Sequence, residues 1–164
     1  DDEDATTLVH TVLINDLDKQ LDKELKDLIK QGGIKDLDPA KLKVSAKSVQ
    51  YNIVDSRTDF IDPNSTKTKC SVDLTVIITD ELVKKSNEAR EKLNADSVES
   101  QASKLNVDYS NNKVNLVLEY ILQPTDKGDK VLATVENKTE IQKLISDTLI
   151  YARTYALLFI DSLW

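Results

Sequence analysis

The segment LNVDYSNNKVNLVLEYIL, residues 105–122, alternates apolar and polar side chains on both sides of the polar tripeptide Ser110-Asn111-Asn112. Alternation with a period of two is typical of a β-strand with one buried face. A short Asn-containing break between two such runs is typical of a hairpin turn. The segment therefore predicts two neighbouring antiparallel strands.

Three further stretches alternate in the same way and predict the rest of a sheet. Residues 42–53 change phase near Lys47-Ser48, which predicts one long strand with a bulge. The second stretch places five residues on one face: Cys70, Val72, Leu74, Val76 and Ile78. The third places Val131, Ala133 and Val135 on one face. Together these patterns predict an antiparallel meander of about five strands.

The two ends of the chain carry apolar residues at the three- and four-residue spacing of amphipathic helices. The first helix is predicted to begin at Leu8 and to end at Gly32-Gly33, and the last to follow a capping box of Asn137 and Glu140. The predicted fold class is α+β, a mostly antiparallel sheet of about five strands with the N-terminal and C-terminal helices packed on one face. Residues 1–7 are interpreted as an acidic spacer and residues 8–164 as a single domain. The core is expected to join the second strand to the last helix through Leu144, Tyr155 and Phe159.

Residues 79–104 are polar and compatible with a helix, but their apolar stripe is thin. We expect at most a surface helix here. Its second half, residues 95–103, has Val98 as its only large apolar anchor and is predicted to be mobile.

The composition disfavours several classes of function. The formal net charge is −7, which disfavours nucleic acids and anionic membrane surfaces, since both are bound by clustered Lys and Arg. Three glycines leave little from which to build a phosphate-binding loop, and one cysteine cannot form an intrachain disulfide. The apolar run of the last helix is too short for a transmembrane span.

The residues that could carry chemistry lack partners in the sequence. His10 is the only histidine and is predicted to lie at the surface or its boundary, while Cys70 is predicted to be a buried apolar residue. Asp55, Asp59 and Asp62 could bind a cation or act as an acid–base pair, but a charge-paired surface is the simpler interpretation. We therefore predict no catalytic residue, no metal site and no cofactor, and the chain is not expected to be an enzyme.

The chain begins without an initiator Met and with an acidic stretch, which suggests a segment removed upstream of Asp1. The leading prediction is a non-enzymatic protein-interaction domain of a bacterial protein exported to the periplasm or tethered to the cell envelope. It would be of the lipoprotein-like, assembly, inhibitor or immunity type, with a possible lipid tether upstream. The alternative is a binding module for a small apolar or lipidic ligand between the sheet and the helices.

A second apolar stripe on the last helix gives a candidate for the partner-binding surface. Ile150, Leu157 and Trp164 recur at seven-residue spacing on the side away from the predicted core face. The first helix could cover them, or they could form a seam for a protein partner or for self-association.

Overall fold

The computed structural model describes residues 2–31, 37–126, 128 and 131–160, and the side chains between residues 5 and 158 of that set. Its helices and strands are, in chain order, α1 (Asp2–Lys30), α2 (Pro39–Lys47), β1 (Gln50–Ile61), β2 (Thr68–Ile77), α3 (Asp80–Lys92), α4 (Val98–Lys104), β3 (Asp108–Ser110), β4 (Lys113–Pro124), β5 (Val131–Val135) and α5 (Thr139–Ile160).

The five strands form one antiparallel sheet, as the sequence predicts. Its order is β1-β2-β4-β3, and β5 also pairs with β4. Because β2 occupies one edge of β4, strands β3 and β5 share the other edge, β3 along residues 113–115 and β5 along residues 120–124. Residues 116–119 of β4 lie between these two pairings, and this gap of four residues is the notch of β4.

The β3–β4 hairpin follows from its turn residues. Asn111 and Asn112 have φ angles of 50° and 64°. Two successive residues with positive φ make a type I′ turn, whose twist matches that of the flanking strands. Asparagine tolerates this left-handed conformation better than most residues do.

The core lies between one face of the sheet and the helices. The alternating residues of β2 and β4 that face the helices are buried, among them Val72, Leu74 and Leu118, whereas Val117 on the opposite face is exposed. Helix α1 packs against α5, β1 and β5, and α3 packs along α5. The α+β class and the packing of both terminal helices on one face are confirmed.

The first half of the predicted long strand is instead helix α2. Asp38 caps it by accepting a hydrogen bond from the Ala40 backbone N–H at 2.9 Å, and Pro39 occupies its first turn. Leu42 and Ala46 are buried one turn apart while Val44 is exposed, so the burial has helical rather than strand spacing. The predicted bulge at Lys47-Ser48 is also wrong, because the irregularities of pairing lie within β1, between residues 54 and 57 and between residues 58 and 60.

Residues 79–104 form two helices rather than at most one surface helix, so that expectation is wrong, while the mobility of residues 95–103 stays a prediction. Thr79 and Ser97 cap two separate helices, α3 and α4. Val98 in α4 is fully buried, and its backbone N–H donates to Asn87 Oδ1 of α3 at 2.8 Å. Helix α4 is thus packed on the core through Val98 and Ala102, and its N-terminus is hydrogen-bonded to α3.

The ends of the domain also differ in detail from the sequence patterns. Helix α1 includes residues 2–7, the predicted spacer, and Ala5 is already buried. The expected end of this helix at residues 32 and 33 lies outside the described residues. Asn137 does not form the predicted capping box, since its amide bonds the Glu119 N–H and the Val117 carbonyl in the notch of β4. No described helix is long and apolar enough to cross a membrane.

Candidate ligand-binding cleft

The predicted partner seam on α5 does not form one exposed surface. Ile150 is buried in the core, and Leu157 is partly buried against it. Trp164 lies outside the described residues, as does the side chain of Phe159 from the predicted core. The packing of α1 against α5 thus favours coverage of Ile150 within the chain over exposure to a partner.

The acidic segment at the end of β1 has its carboxylates in separate local roles. Asp55 adopts a positive φ of 57° at the first irregularity of β1. Asp59 accepts a hydrogen bond from the Ser71 hydroxyl at 3.1 Å, and Asp62 accepts one from the Asn64 backbone in the following turn. Within the described part of the chain, no group of three or more His, Cys, Asp or Glu side chains is placed to hold a metal ion.

The two other reactive residue types occupy packed positions. Cys70 is buried in the core face of β2, as predicted. His10 on α1 contacts Tyr51 of β1 edge to face, with ring centroids 5.7 Å apart. Burial, and then the charge of Asp18, raises the pKa of the Tyr51 hydroxyl. His10, Asp18 and Tyr51 are among the residues that line a cleft of about 440 Å³ between α1, α2 and β1.

A cleft of about 530 Å³ opens where the C-terminal part of α1 meets the middle of α5 and the end of α3. Its walls are partly apolar and its rim is charged. Lining residues from α1 and the segments after it are Glu24, Asp27, Leu28, Gln31 and Leu37. Lining residues from α5 are Lys143, Asp147, Ile150, Tyr151 and Thr154, and Leu93 follows α3.

Two carboxylates and one ammonium meet at one end of this cleft. Lys143 Nζ lies 2.9 Å from Glu24 Oε1 and 3.3 Å from the Asp147 carboxylate. Burial, and then the adjacent Asp147, raises the pKa of Glu24, while Lys143 acts in the opposite direction. Burial alone would lower the pKa of Lys143, but contact with the two carboxylates raises it. The pair of carboxylates is therefore stabilised by a cation between them.

Neutral side chains fix the orientation of the two carboxylates. Gln20 Nε2 donates to Glu24 Oε1, and the Ser146 hydroxyl donates to Glu24 Oε2, both at 3.0 Å. Gln101 Nε2 of α4 donates to Asp147 Oδ2 at 2.7 Å. The Gln101 Oε1 atom is buried and has no hydrogen-bond partner. Exchanging its amide O and N would place an oxygen against the Asp147 carboxylate, so the bond to Asp147 fixes this orientation.

A buried arginine supports the aromatic wall of the cleft. Arg90 of α3 places its guanidinium carbon 4.6 Å from the centre of the Tyr151 ring. Its nitrogens donate to Ser86 Oγ at 3.0 Å, to the Asp96 carbonyl at 3.1 Å and to Thr148 Oγ1 at 3.4 Å. Burial lowers the pKa of Arg90. Because these contacts join α3 to α5, they fix the position of Tyr151 beside the cleft.

The sequence patterns did not single out these residues, although parts of the signal were present. Lys143 and Asp147 are four residues apart on α5, a spacing typical of an ordinary surface ion pair. Glu24 joins them only through the packing of α1 on α5. Arg90 sits among polar residues in α3, where its burial depends on α4 and α5.

Comparison with known proteins identifies no relative of this chain. No protein-family model, curated protein or solved structure gives a significant match to this chain.

Proposed function

We propose that this protein is a non-enzymatic binding module that holds a small ligand with an apolar body in the cleft between α1 and α5. The observation that carries this proposal is a cleft of about 530 Å³ lined by both terminal helices. Ligand pockets in proteins have volumes of about 300–1,000 Å³ and combine apolar walls with a few placed polar groups.

The lining supports an apolar ligand rather than a fully polar one. Leu28, Leu37 and Ile150 form aliphatic wall, and Tyr151 adds an aromatic ring backed by Arg90. Burying such surface against a ligand contributes about 25 cal/mol for each Å² removed from water. Among the polar groups of the lining, Glu24, Lys143 and Asp147 contact one another and form a charged patch that orients a ligand.

A recognition role for the carboxylates fits their contacts better than catalysis. Glu24 accepts bonds from Lys143, Gln20 and Ser146, so its oxygens are already held by donors. A general acid or base needs an oxygen directed at the reacting atom. Held oxygens suit a fixed binding group instead.

The test uses N-phenyl-1-naphthylamine, an uncharged probe whose fluorescence rises in an apolar site. We expect saturable fluorescence with the wild-type protein and a large loss with Leu93→Asp, which places a charge in the cleft wall. Val131→Asp on β5 is the matched control, because Leu93 and Val131 are 46% and 45% exposed and, of the two, only Leu93 lines the cleft. Equal binding by both variants, or none by the wild type, would show that the cleft is not a binding site.

A second candidate function is self-association through the outer face of the sheet. The pairing register places Phe60, Val117 and Leu132 on this face, and all three are exposed. The face also carries an exposed ion pair of Arg57 and Asp73 at 3.0 Å, so both signs of charge are present despite the acidic chain. Light scattering should then detect a dimer that Leu132→Asp abolishes, whereas a monomer at high concentration contradicts this candidate. The periplasmic or envelope location stays a prediction.

A further inference from the structure

The lining of the α1–α5 cleft includes more carboxylate than ammonium groups. Glu24, Asp27 and Asp147 are lining residues, and so is one lysine, Lys143. The buried guanidinium of Arg90 behind Tyr151 adds a second positive charge, which acts on Asp147. Three carboxylates are thus matched by two cationic groups. Helices α1 and α3 also end at the cleft, and the C-terminal end of a helix carries partial negative charge. The electrostatic environment of the cleft therefore favours a cation.

The carboxylates are the buried part of this cluster and the lysine is its exposed part. The Lys143 side chain is 48% exposed, whereas those of Glu24 and Asp147 are only 12% and 17% exposed. Hydrogen bonds from α1, α4 and α5 hold both carboxylates, while Lys143 reaches them on a flexible stem from the solvent side. The Lys143 ammonium thus shows which chemical group the carboxylate pair binds.

We propose that the ligand of the cleft is an amphiphilic amine, whose ammonium group binds between Glu24 and Asp147 in the place of Lys143 Nζ. Its apolar body lies against Leu28, Ile150 and Tyr151. This inference rests on the proposed function, because it assigns the chemical class of the ligand in the same cleft. Lys143 acts as an internal competitor that keeps the carboxylate pair neutralised when the cleft is empty.

The geometry favours a primary ammonium over other cations. The observed distances of 2.9 and 3.3 Å to Lys143 Nζ show that one nitrogen can contact both carboxylates. A primary ammonium offers three donors and can repeat both contacts. A quaternary ammonium offers none.

The test compares three ligands that share one apolar body: 4-phenylbutylamine, 4-phenylbutan-1-ol and 4-phenylbutanoate. Calorimetry at pH 7 should show that the amine binds at least about tenfold more tightly than the alcohol, which is the ratio that one additional charge-assisted hydrogen bond supplies. The carboxylic acid, ionised at this pH, should bind most weakly.

Variants locate the effect at the carboxylate pair. Glu24→Gln and Asp147→Asn should each bring the amine to the affinity of the alcohol, while Lys143→Gln should tighten amine binding by removing the competitor. Glu119→Gln, on an exposed position of β4, is the control and should leave the preference for the amine unchanged. Two carboxylate variants are used so that the loss of one through misfolding does not decide the result.

The two proposals fail in different ways. If the naphthylamine probe binds but amine and alcohol bind equally, the amine assignment is wrong and the cleft remains an apolar site. If neither the probe nor any phenylbutyl ligand binds, both proposals are wrong. An amine preference that persists in Glu24→Gln and in Asp147→Asn would place the ammonium elsewhere and overturn the assignment.

Discussion

Replacing Arg90 tests how the region of α3 and α4 is held to α5. The side chain is 2% exposed, and its partners are two hydroxyl groups, one carbonyl and an aromatic ring. None of these partners is a carboxylate. The carboxylates of Asp147 and Asp96 attract the guanidinium through space without bonding to it, and burial still lowers its pKa, so it keeps much of its desolvation cost. We therefore expect the conservative replacement to be more damaging than an apolar one.

The magnitudes follow from the individual contacts. The bonds of 3.0 and 3.1 Å have normal length, and bonds to a charged donor contribute about 1.5–3 kcal/mol each. Arg90→Ala also removes a charge from the protein interior, which offsets part of this loss, and it leaves a cavity, which adds to it. The net effect should be a decrease of about 3–5 kcal/mol in the free energy of unfolding. Arg90→Met fills the space without a charge and should cost only about 1–3 kcal/mol. Arg90→Lys retains the buried charge with fewer donors and should cost about as much as Arg90→Ala.

Urea denaturation of the three variants, followed by circular dichroism, measures these differences. Equal slopes of the transitions would show that the values compare the same unfolding reaction. The reasoning is refuted if Arg90→Lys retains wild-type stability while Arg90→Met is as unstable as Arg90→Ala. That order would mean that the charge itself stabilises the contact between α3 and α5.

Three further predictions concern single side chains. Asn137→Ala should cost about 1–3 kcal/mol in unfolding free energy, because it removes two hydrogen bonds to the β4 backbone in the notch; an unchanged melting temperature would contradict this. Val98→Ala should cost about 1–3 kcal/mol, whereas Val44→Ala, at a position 67% exposed, should change stability by less than about 0.5 kcal/mol; similar melting temperatures would show that α4 is not anchored. Folding raises the pKa of Glu24 above its usual 4.5, so the folded chain binds this proton more tightly than the unfolded chain does. The contribution of Glu24 to stability therefore falls as the pH rises above about 4.5. Glu24→Gln should consequently gain stability relative to the wild type as the pH rises above about 4.5, and a difference that stays constant with pH in denaturation experiments would contradict the shift.

The sheet could be predicted from the sequence because its signals are local. The period of two in β2 and β4 and the turn at Asn111-Asn112 each act within a few residues. The terminal helices were also predictable, since each repeats its pattern over many turns. Helices α2 and α4 were not, for two different reasons.

Helix α2 is short enough that its pattern fits either period. Leu42, Val44 and Ala46 alternate like a strand, yet only the first and last are buried. The deciding signal was Asp38-Pro39, a cap followed by a proline in the first turn, which is typical of a helix start. Helix α4 differs, because nothing within its own seven residues shows that Val98 enters the core. Its attachment depends on Asn87 from another helix.

The cleft lies furthest from what the sequence could predict, since its chemistry depends on the register of one helix against another. Lys143 and Asp147, taken alone, form an ion pair one turn apart on a helix surface, which contributes about 0.3–0.5 kcal/mol. With Glu24 packed opposite them, the ion pair is no longer an ordinary surface pair. Two carboxylates then share one ammonium in a partly buried site. A shift of α1 by one residue would rotate Glu24 by 100° around the helix axis and away from that position. The apolar stripe of α1 fixes this rotation by burying Leu17, Leu21 and Leu25. The same core packing that forms the fold therefore also places a third charged group at the cleft, and the excess negative charge there is a property of the packed helices.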